Sequence, residues 1–559
     1  MYAKVNMGAL PERGSATAVT KRRNAWLMLA FALWLGAGFV FVGSCRPETL
    51  GVFSSDDAFY YFLTARNVAL GNGVTFDGIN DTNGFHPLWL AVVTPIFWLT
   101  GGEHDSSLRI IYGVLFLLFT GSIVLTYRLL RRMVGAAPAL LALLLFVNPA
   151  IFNFFFNGLE SALLIVTLLV LLNLGCSTDL TSPQMGWRNQ IAAGFLLGLV
   201  FLARLDCAFH LIGLALVATV AYQLKVWNPH QYPSLLRSYG CLLLTFAAVV
   251  MPYLVWNLAA NGHMAPISGA IKSSFPHLQF DPGRLQKLSW APYTLFIAAS
   301  MLTIALAIVY RGRVADLFRR AKLQRSGVIL VLGFWVGCAL HFGYSFFFTF
   351  WPADSWHFAS YVPLIFVFAG TAFAFLWRFS RILTATTAVM ILVGSGCLLA
   401  LSLSEKVTHH GVWHTAAVWA KENTSPESIF AMTDCGYFSY FSRRTTVNLD
   451  GLINSYDYQL ALESGTLDEF LEDCGVDYFN GYEVPDWAHP FYSIRLKSFL
   501  FGSGPRKQRI AYHILLPTDG DFVWRSEPYD PYIHEHNGSE IRFYIWEKDS
   551  ARVKRLQNS

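Results

Sequence analysis

The sequence is poor in charge. Asp, Glu, Lys and Arg make up only 14% of its 559 residues, against about 25% in a soluble domain. With 54% hydrophobic residues, a chain of this length cannot hide its apolar surface in one water-soluble globule. No C-x-x-C pair occurs among the eight cysteines, which argues against a zinc or dithiol redox centre. Cys45, Cys176, Cys207, Cys241, Cys338 and Cys397 lie in or beside apolar stretches and read as packing residues. Cys435 and Cys474 lie in a polar tail, where a disulfide and two free thiols are both open. Internal repeats, low-complexity tracts and a glycine-rich dinucleotide fingerprint are all missing. The net charge of +5 comes from basic residues in short loops, so nucleic acid is not an expected partner.

What the chain does have is apolar stretches of about 18 to 22 residues, recurring from Trp26 onward and long enough to cross a ~30 Å hydrocarbon core as helices. The first runs from Trp26 to Ser44. Lys21, Arg22 and Arg23 precede it, which places the amino terminus in the cytoplasm. Its length and the lack of a small-residue cleavage site argue against a signal peptide. The next apolar run, His86 to Thr100, is short and carries Pro87 and Pro95. If it crossed, Arg128, Arg131, Arg132 and the run Arg311 to Arg325 (five arginines and Lys322) would face outward. As an interfacial or re-entrant helix it leaves all of them inside, with Arg188, Lys225, Arg237, Arg378 and Arg381, as the positive-inside rule requires.

The expected fold is mainly α: a polytopic transmembrane bundle of about eleven spans with a C-terminal extracytoplasmic α/β domain. After the first, the apolar cores are Leu108–Tyr127, Ala137–Asn148, Leu159–Leu174, Ile191–Leu202, Cys207–Leu224, Cys241–Trp256, Ala291–Tyr310, Gly327–Tyr344, Phe358–Leu376 and Leu383–Leu401. Residues 1–24 are then a cytoplasmic tail and 25–403 the membrane domain, with a first outer loop over 45–107. Residues 404–559 form a soluble outer domain. In it, Trp413, Ala417 and Ala420 mark a helix face, Ile429–Thr433 and Thr445–Leu449 read as strands, and Leu467–Cys474 reads as a helix before the strand Val476–Phe479. The expected location is a plasma membrane, the inner membrane of a bacterium.

Polar residues collect in the outward loops. Ser54-Ser55-Asp56-Asp57 opens a helix: a serine is the N-cap and both acids fall in the first turn. Capping explains one acid, but two beside lipid are costly unless used or paired. Adjacent helical residues point about 100° apart, so one aspartate can face a cavity while the other caps or binds a cation. Gly71-Asn72-Gly73 and Asn83-Gly84 are turns, and His86 is a ligand, a substrate contact or a polar anchor. Further outward turns supply Glu160, Arg204 and Asp206, then His263, Ser268, Lys272, Asp354 and His357. For Arg204 and Asp206 the structural alternative is an ion pair at a helix end. For Glu160 it is a helix N-terminal charge. Trp351 and Trp356 read as interfacial belt residues. Carboxylates that can take a proton and cations that can neutralise an anion, all beside lipid, suit a lipid-linked phosphate donor.

Asp56-Asp57-Ala58-Phe59-Tyr60-Tyr61-Phe62 through Ala65-Arg66-Asn67, followed by Gly71-Asn72-Gly73, resembles the first outer loop of the GT-C superfamily of membrane glycosyltransferases. Asn83 to Trp89, Gly158-Leu159-Glu160, Ala203 to Asp206 and Ser268 to Ser273 are similar to segments of its bacterial members, as are Asp434 to Phe438 and Asn448 to Leu452 in the tail. Here the motif is Asp-Asp where several relatives have Asp-Glu, so sugar and acceptor do not carry over. The resemblance implies transfer of one sugar from a polyprenyl-phosphate donor to a glycan, lipid or protein acceptor outside the cytoplasm. On this reading Asp56 or Asp57 is the general base. Arg66, Arg204 and Lys272 clamp the phosphate, and Asn67, His86, Glu160 and Asp206 contact substrate. The residues name no definite cofactor, and two acids leave room for a magnesium, manganese or calcium ion. The competing classes are a transporter or flippase for a lipid-linked sugar and an assembly scaffold.

Overall fold

The computed structural model describes residues 13–180, 186–223, 232–279, 296–297, 300–301, 324–349, 351, 355–483, 491–498, 509–517, 522–527 and 542–555. The apolar stretches are helices. Among the described residues five are long and apolar enough to cross a bilayer, or seven if each of two bent helix pairs counts as one span. They make the chain a multi-pass membrane protein. Helix α1 (Arg13–Ser44) turns through 112° into α2 (Pro47–Phe53), where Pro47 fills a first-turn position that needs no N–H partner. The loop that follows forms α3 (Asp56–Leu70) and α4 (Pro87–Leu99). At 1.5 Å per residue α4 is about 20 Å long, too short to cross the core, and it packs on α3.

Helix α5 (His104–Val134) is the first long crossing after the loop. Next come α6 (Ala136–Ala142), α7 (Pro149–Phe156), α8 (Ser161–Ser177), α9 (Trp187–Ala203) and α10 (Ala208–Gln223). Helices α11 (Tyr232–Asn261), α12 (Ile267–Lys272), α13 (Arg325–Phe347), α14 (Val362–Phe379) and α15 (Arg381–Asn423) complete the bundle. Helix α8 packs against α5, α9, α13 and α14, and most of its residues are buried. A helix apolar on all sides belongs in such a central position. Three of the expected spans lie on α8, α9 and α10, which have 16 or 17 residues each, below the ~20 of a perpendicular crossing. The expected span Ala291–Tyr310 lies outside the described residues apart from positions 296, 297, 300 and 301.

Helix α15 runs unbroken for 43 residues from the bundle into the tail. There β1 (Ile429–Met432), β2 (Thr445–Asn448) and β3 (Tyr478–Glu483) pair in parallel as β2-β1-β3. Helices α16 (Gly436–Ser442), α17 (Tyr456–Ser464) and α18 (Leu467–Asp473) lie between them in sequence. The sheet is completed by β6 (Trp524–Arg525) and β7 (Arg542–Glu547), which run antiparallel. A second sheet of β4 (Phe491–Ser498), β5 (Arg509–Pro517) and β8 (Arg552–Arg555) is antiparallel throughout. Strands β1 and β2 and helix α18 match their expected positions, while β3 begins two residues late. The helix face of Trp413, Ala417 and Ala420 is buried as its spacing predicts. The sulfurs of Cys435 and Cys474 are not joined. Both are buried free thiols, one 3.5 Å from the Asn448 amide nitrogen and the other 3.6 Å from that of Asn80.

One hydrophobic core runs from the membrane helices through α3 into the tail. Phe59 is the hinge of that continuity: its ring packs 5.0–5.7 Å from Tyr437, Tyr440 and Phe441 of the tail. Tyr440 in turn donates to the His104 carbonyl at 2.6 Å, and Thr82 donates to the Asn454 carbonyl at 3.1 Å. The tail is therefore seated on the loop of α3 and α4 by burial and by hydrogen bonds together.

Candidate functional site

Helix α3 carries the acid pair. Ser55 precedes it in extended conformation, both aspartates occupy its first turn, and Gly71 ends it at φ 82°, the left-handed region that glycine tolerates best. The two acids part company. The Asp56 carboxylate accepts the backbone N–H groups of Gly436 (3.0 Å) and Tyr437 (2.7 Å), the first residues of α16 in the tail. A carboxylate at a helix N-terminus is favourable by about 0.3–1 kcal/mol. Burial nonetheless pushes Asp56 up to about 6; the two N–H donors work against that shift, and the nearby charge of Asp450 adds to it. Asp57 instead lines a cleft with Tyr60, Tyr61, His86, Glu160, Arg204, Ser268, Lys272, Trp356 and His357. Its cavity is small, about 60 Å³, below the ~300–1,000 Å³ of sites that enclose a whole small molecule.

The floor of the cleft is a buried ion network. Arg204, 3% exposed, gives one terminal nitrogen to Glu160 at 2.5 Å and the other to Asp206 at 2.7 Å. Asp206 is also 3.5 Å from His341. Glu160 sits at the N-cap of α8 without bonding the helix's own N–H groups, so its acid serves Arg204 rather than the helix end. Two carboxylates on one guanidinium leave Arg204 little charge to offer a ligand. Lys272, the last residue of α12, forms no ion pair among the described residues, and it is the cation of the cleft that remains to be neutralised. His86 accepts the Leu205 N–H at Nδ1 (3.3 Å) and turns Nε2 toward Glu160 at 4.0 Å. Burial lowers its pKa, so the ring is neutral with its proton on Nε2.

Helix α12 is held by a residue that sequence reading placed only in a turn. The Asn83 carbonyl oxygen accepts the Ile267 N–H, and its amide donates to Asn257, both at 2.8 Å. From the tail, Tyr456 donates to the Ala265 carbonyl at 3.0 Å and stacks on His263 with ring centroids 4.1 Å apart. The two tail motifs also meet the loop. Tyr60 donates to Asp450 (3.2 Å), and Asn448 donates to both Tyr60 (3.2 Å) and Asp450 (3.0 Å). The signal that would have found these contacts is the pairing of Asn-rich turns in two distant segments, which spacing alone does not reveal.

Two expected substrate contacts lie elsewhere. Arg66 and Asn67, a turn or more along α3, line a separate cavity at the seam with the tail. The Asn67 amide is spent on the carbonyls of Thr75 (2.9 Å) and Phe76 (3.1 Å), pinning the glycine-rich turn. Trp356, expected in an interfacial belt, lines the cleft instead, because the turn Ser355–Tyr361 folds inward over Arg204. Asp354 lies outside the described residues. No group of three or more His, Cys, Asp or Glu residues able to hold a metal ion occurs among the described residues.

Residues 404–523 match the family model described as Domain of unknown function (DUF8728). No curated protein matches the chain. Among solved structures, ArnT from Cupriavidus metallidurans bound to undecaprenyl phosphate matches with a TM-score of 0.53 and 12% identity, over 84% of this chain and 96% of that one. ArnT in the apo state matches with a TM-score of 0.50 and 12% identity, over 86% and 96%. The archaeal oligosaccharyltransferase AglB from Archaeoglobus fulgidus, in complex with an inhibitory peptide and a dolichol-phosphate, matches at 0.44 and 13%, over 80% and 69%. The chain has the fold of ArnT.

Proposed function

We propose that this chain of GT-C fold is a membrane glycosyltransferase that takes a sugar from a polyprenyl-phosphate donor on the outer face of the membrane, with Asp57 as general base. The observation that carries the reading is the separation of the acid pair. Asp56 accepts from the N-terminus of the tail helix, while Asp57 lines a cleft that also holds Lys272, a cation with no ion pair among the described residues. ArnT has been seen with undecaprenyl phosphate, a ligand of the donor class proposed here. The donor phosphate sits against Lys272, which binds its existing negative charge about equally in the bound donor and through the transfer. Asp57 takes the acceptor hydroxyl's proton as the new glycosidic bond forms. Neutral His86 donates from Nε2, and Glu160, held by Arg204, accepts from sugar hydroxyls. Arg204 holds that acid in place and is not itself the clamp.

General-base catalysis contributes about 10² to 10⁴ in rate. Asp57→Asn therefore lowers transfer by at least about 100-fold at normal expression, read by mass spectrometry of envelope glycans and by turnover of a radiolabelled polyprenyl-phosphate sugar. Lys272→Met raises the donor KM more than it lowers kcat. Full activity of Asp57→Asn would remove the catalytic assignment. A cysteine at exposed position 79 is labelled by an impermeant maleimide from the outer side only. Cysteines in the cleft labelled from both sides would point to a transporter instead.

A further inference from the structure

The seam cavity that holds Arg66 has no part in the cleft chemistry. It is larger, with a cavity volume of about 410 Å³, within the ~300–1,000 Å³ of ligand clefts. Three segments far apart in sequence enclose it: the second half of α3 with the turn after it, the Gly101–His104 turn, and the α16–β2 junction of the tail. Three guanidiniums, from Arg66, Arg443 and Arg444, face it, and they differ in how they are used. Arg444 is fully engaged, donating to the Thr424 hydroxyl (3.1 Å) and to the carbonyls of Lys421 (2.7 Å) and Thr424 (2.8 Å) at the end of α15. Arg443 is held loosely by Glu103 (3.8 Å) and Asp105 (3.6 Å). Its backbone is at φ 56°, where glycine would be relaxed, so this turn carries a charged side chain at some conformational cost. Arg66 gives Nε to the Gly102 carbonyl at 2.8 Å and has no ion pair among the described residues. Burial, and then the nearby Arg443, lower its proton affinity, as expected of a cation lacking a counter-charge.

The acids of the cavity do not answer Arg66. The Asp77 carboxylate is consumed by its own turn, accepting from Thr75, Ile79 and Asn80. Glu103 caps α5 through the N–H groups of Asp105 and Ser106. They nevertheless remain fixed negative charges at the wall, which disfavours a bare anion. A ligand with its negative group at one end and hydroxyls over the rest fits both facts. From this we infer that the seam cavity is a binding site for an acidic saccharide, one carrying a phosphate or carboxylate, with Arg66 and Arg443 receiving the charged group. The site lies apart from Asp57, so it stands whether or not glycosyl transfer occurs in the cleft.

Glucose 6-phosphate, glucose and inorganic phosphate are suitable probes, titrated by calorimetry into the full chain in lipid nanodiscs. The expected result is glucose 6-phosphate bound at least about tenfold more tightly than either control. Arg66→Gln removes that preference, Arg66→Lys keeps part of it, and Asp57→Asn leaves it unchanged. Arg443→Gly, which relaxes the positive φ and preserves the fold, also weakens binding and decides the matter if Arg66→Gln does not fold. Equal binding of glucose or of inorganic phosphate overturns the inference, as does wild-type binding by both arginine variants. Loss of binding in Asp57→Asn would assign the ligand to the cleft instead.

Discussion

Asp56 and Asp57 are the same residue type, one peptide apart, and a rotation of about 100° along the helix sends them to different tasks. Asp56 meets backbone N–H groups, which favour its charge, and low-dielectric surroundings, which oppose it; the second effect wins and its pKa rises to about 6 from 3.8. Its folded pKa is above the unfolded one. Its contribution to stability is therefore complete below about 3.8 and is lost as pH rises through about 6. Asp56→Asn lacks that titration. The melting temperature of the unmodified chain, taken relative to Asp56→Asn, should fall between pH 4 and pH 7. A difference that stays flat across that window would show that Asp56 does not titrate at the tail junction.

At the scale of an element, α12 is only six residues long, too short to hold its own position. It is placed by Asn83 from the first loop, by Asn257 of α11 through Asn83, and by Tyr456 from the tail. Asn83→Ala leaves the Ile267 N–H without its partner and takes one of two donors from the Asn257 oxygen, which keeps Asn261, at a cost of about 1–3 kcal/mol. Because α12 carries Lys272, the expected kinetic result is a donor KM raised by about tenfold with a smaller loss in kcat. A fall in kcat at constant KM would mean that Asn83 acts on the chemistry rather than on the position of α12.

For the whole molecule the decisive feature is the seating of the tail on α3, since Leu452 from the tail also forms part of the cleft wall. Gly436 makes that approach possible: a Cβ there would lie 2.3 Å from the Asp56 carbonyl oxygen. Gly436→Ala should lift the tail and speed its proteolytic release, with activity lost in parallel. Gly396→Ala, where an added Cβ meets nothing within 4 Å, is the control. Equal digestion of the two variants would show that the junction tolerates a methyl group and that the tail is held chiefly elsewhere.

The sequence by itself determined what is local. Hydropathy gave the membrane helices, because each must satisfy its own backbone within one continuous apolar stretch. Turn and cap residues marked α3, and the acid pair stood out because charge beside lipid demands a reason. Part of the tail was legible from its alternation of helix and strand. The antiparallel sheet of β4, β5 and β8 was not, and in it β8 joins β5 only across a long sequence separation. Tertiary structure alone decided which aspartate faces the cleft, that Arg66 belongs to a different cavity, and that Arg204 is already neutralised. Those outcomes depend on residues 57, 160, 204 and 272 meeting in one cleft and on residue 436 meeting Asp56, and contact between distant segments is a property of packing that no local pattern encodes.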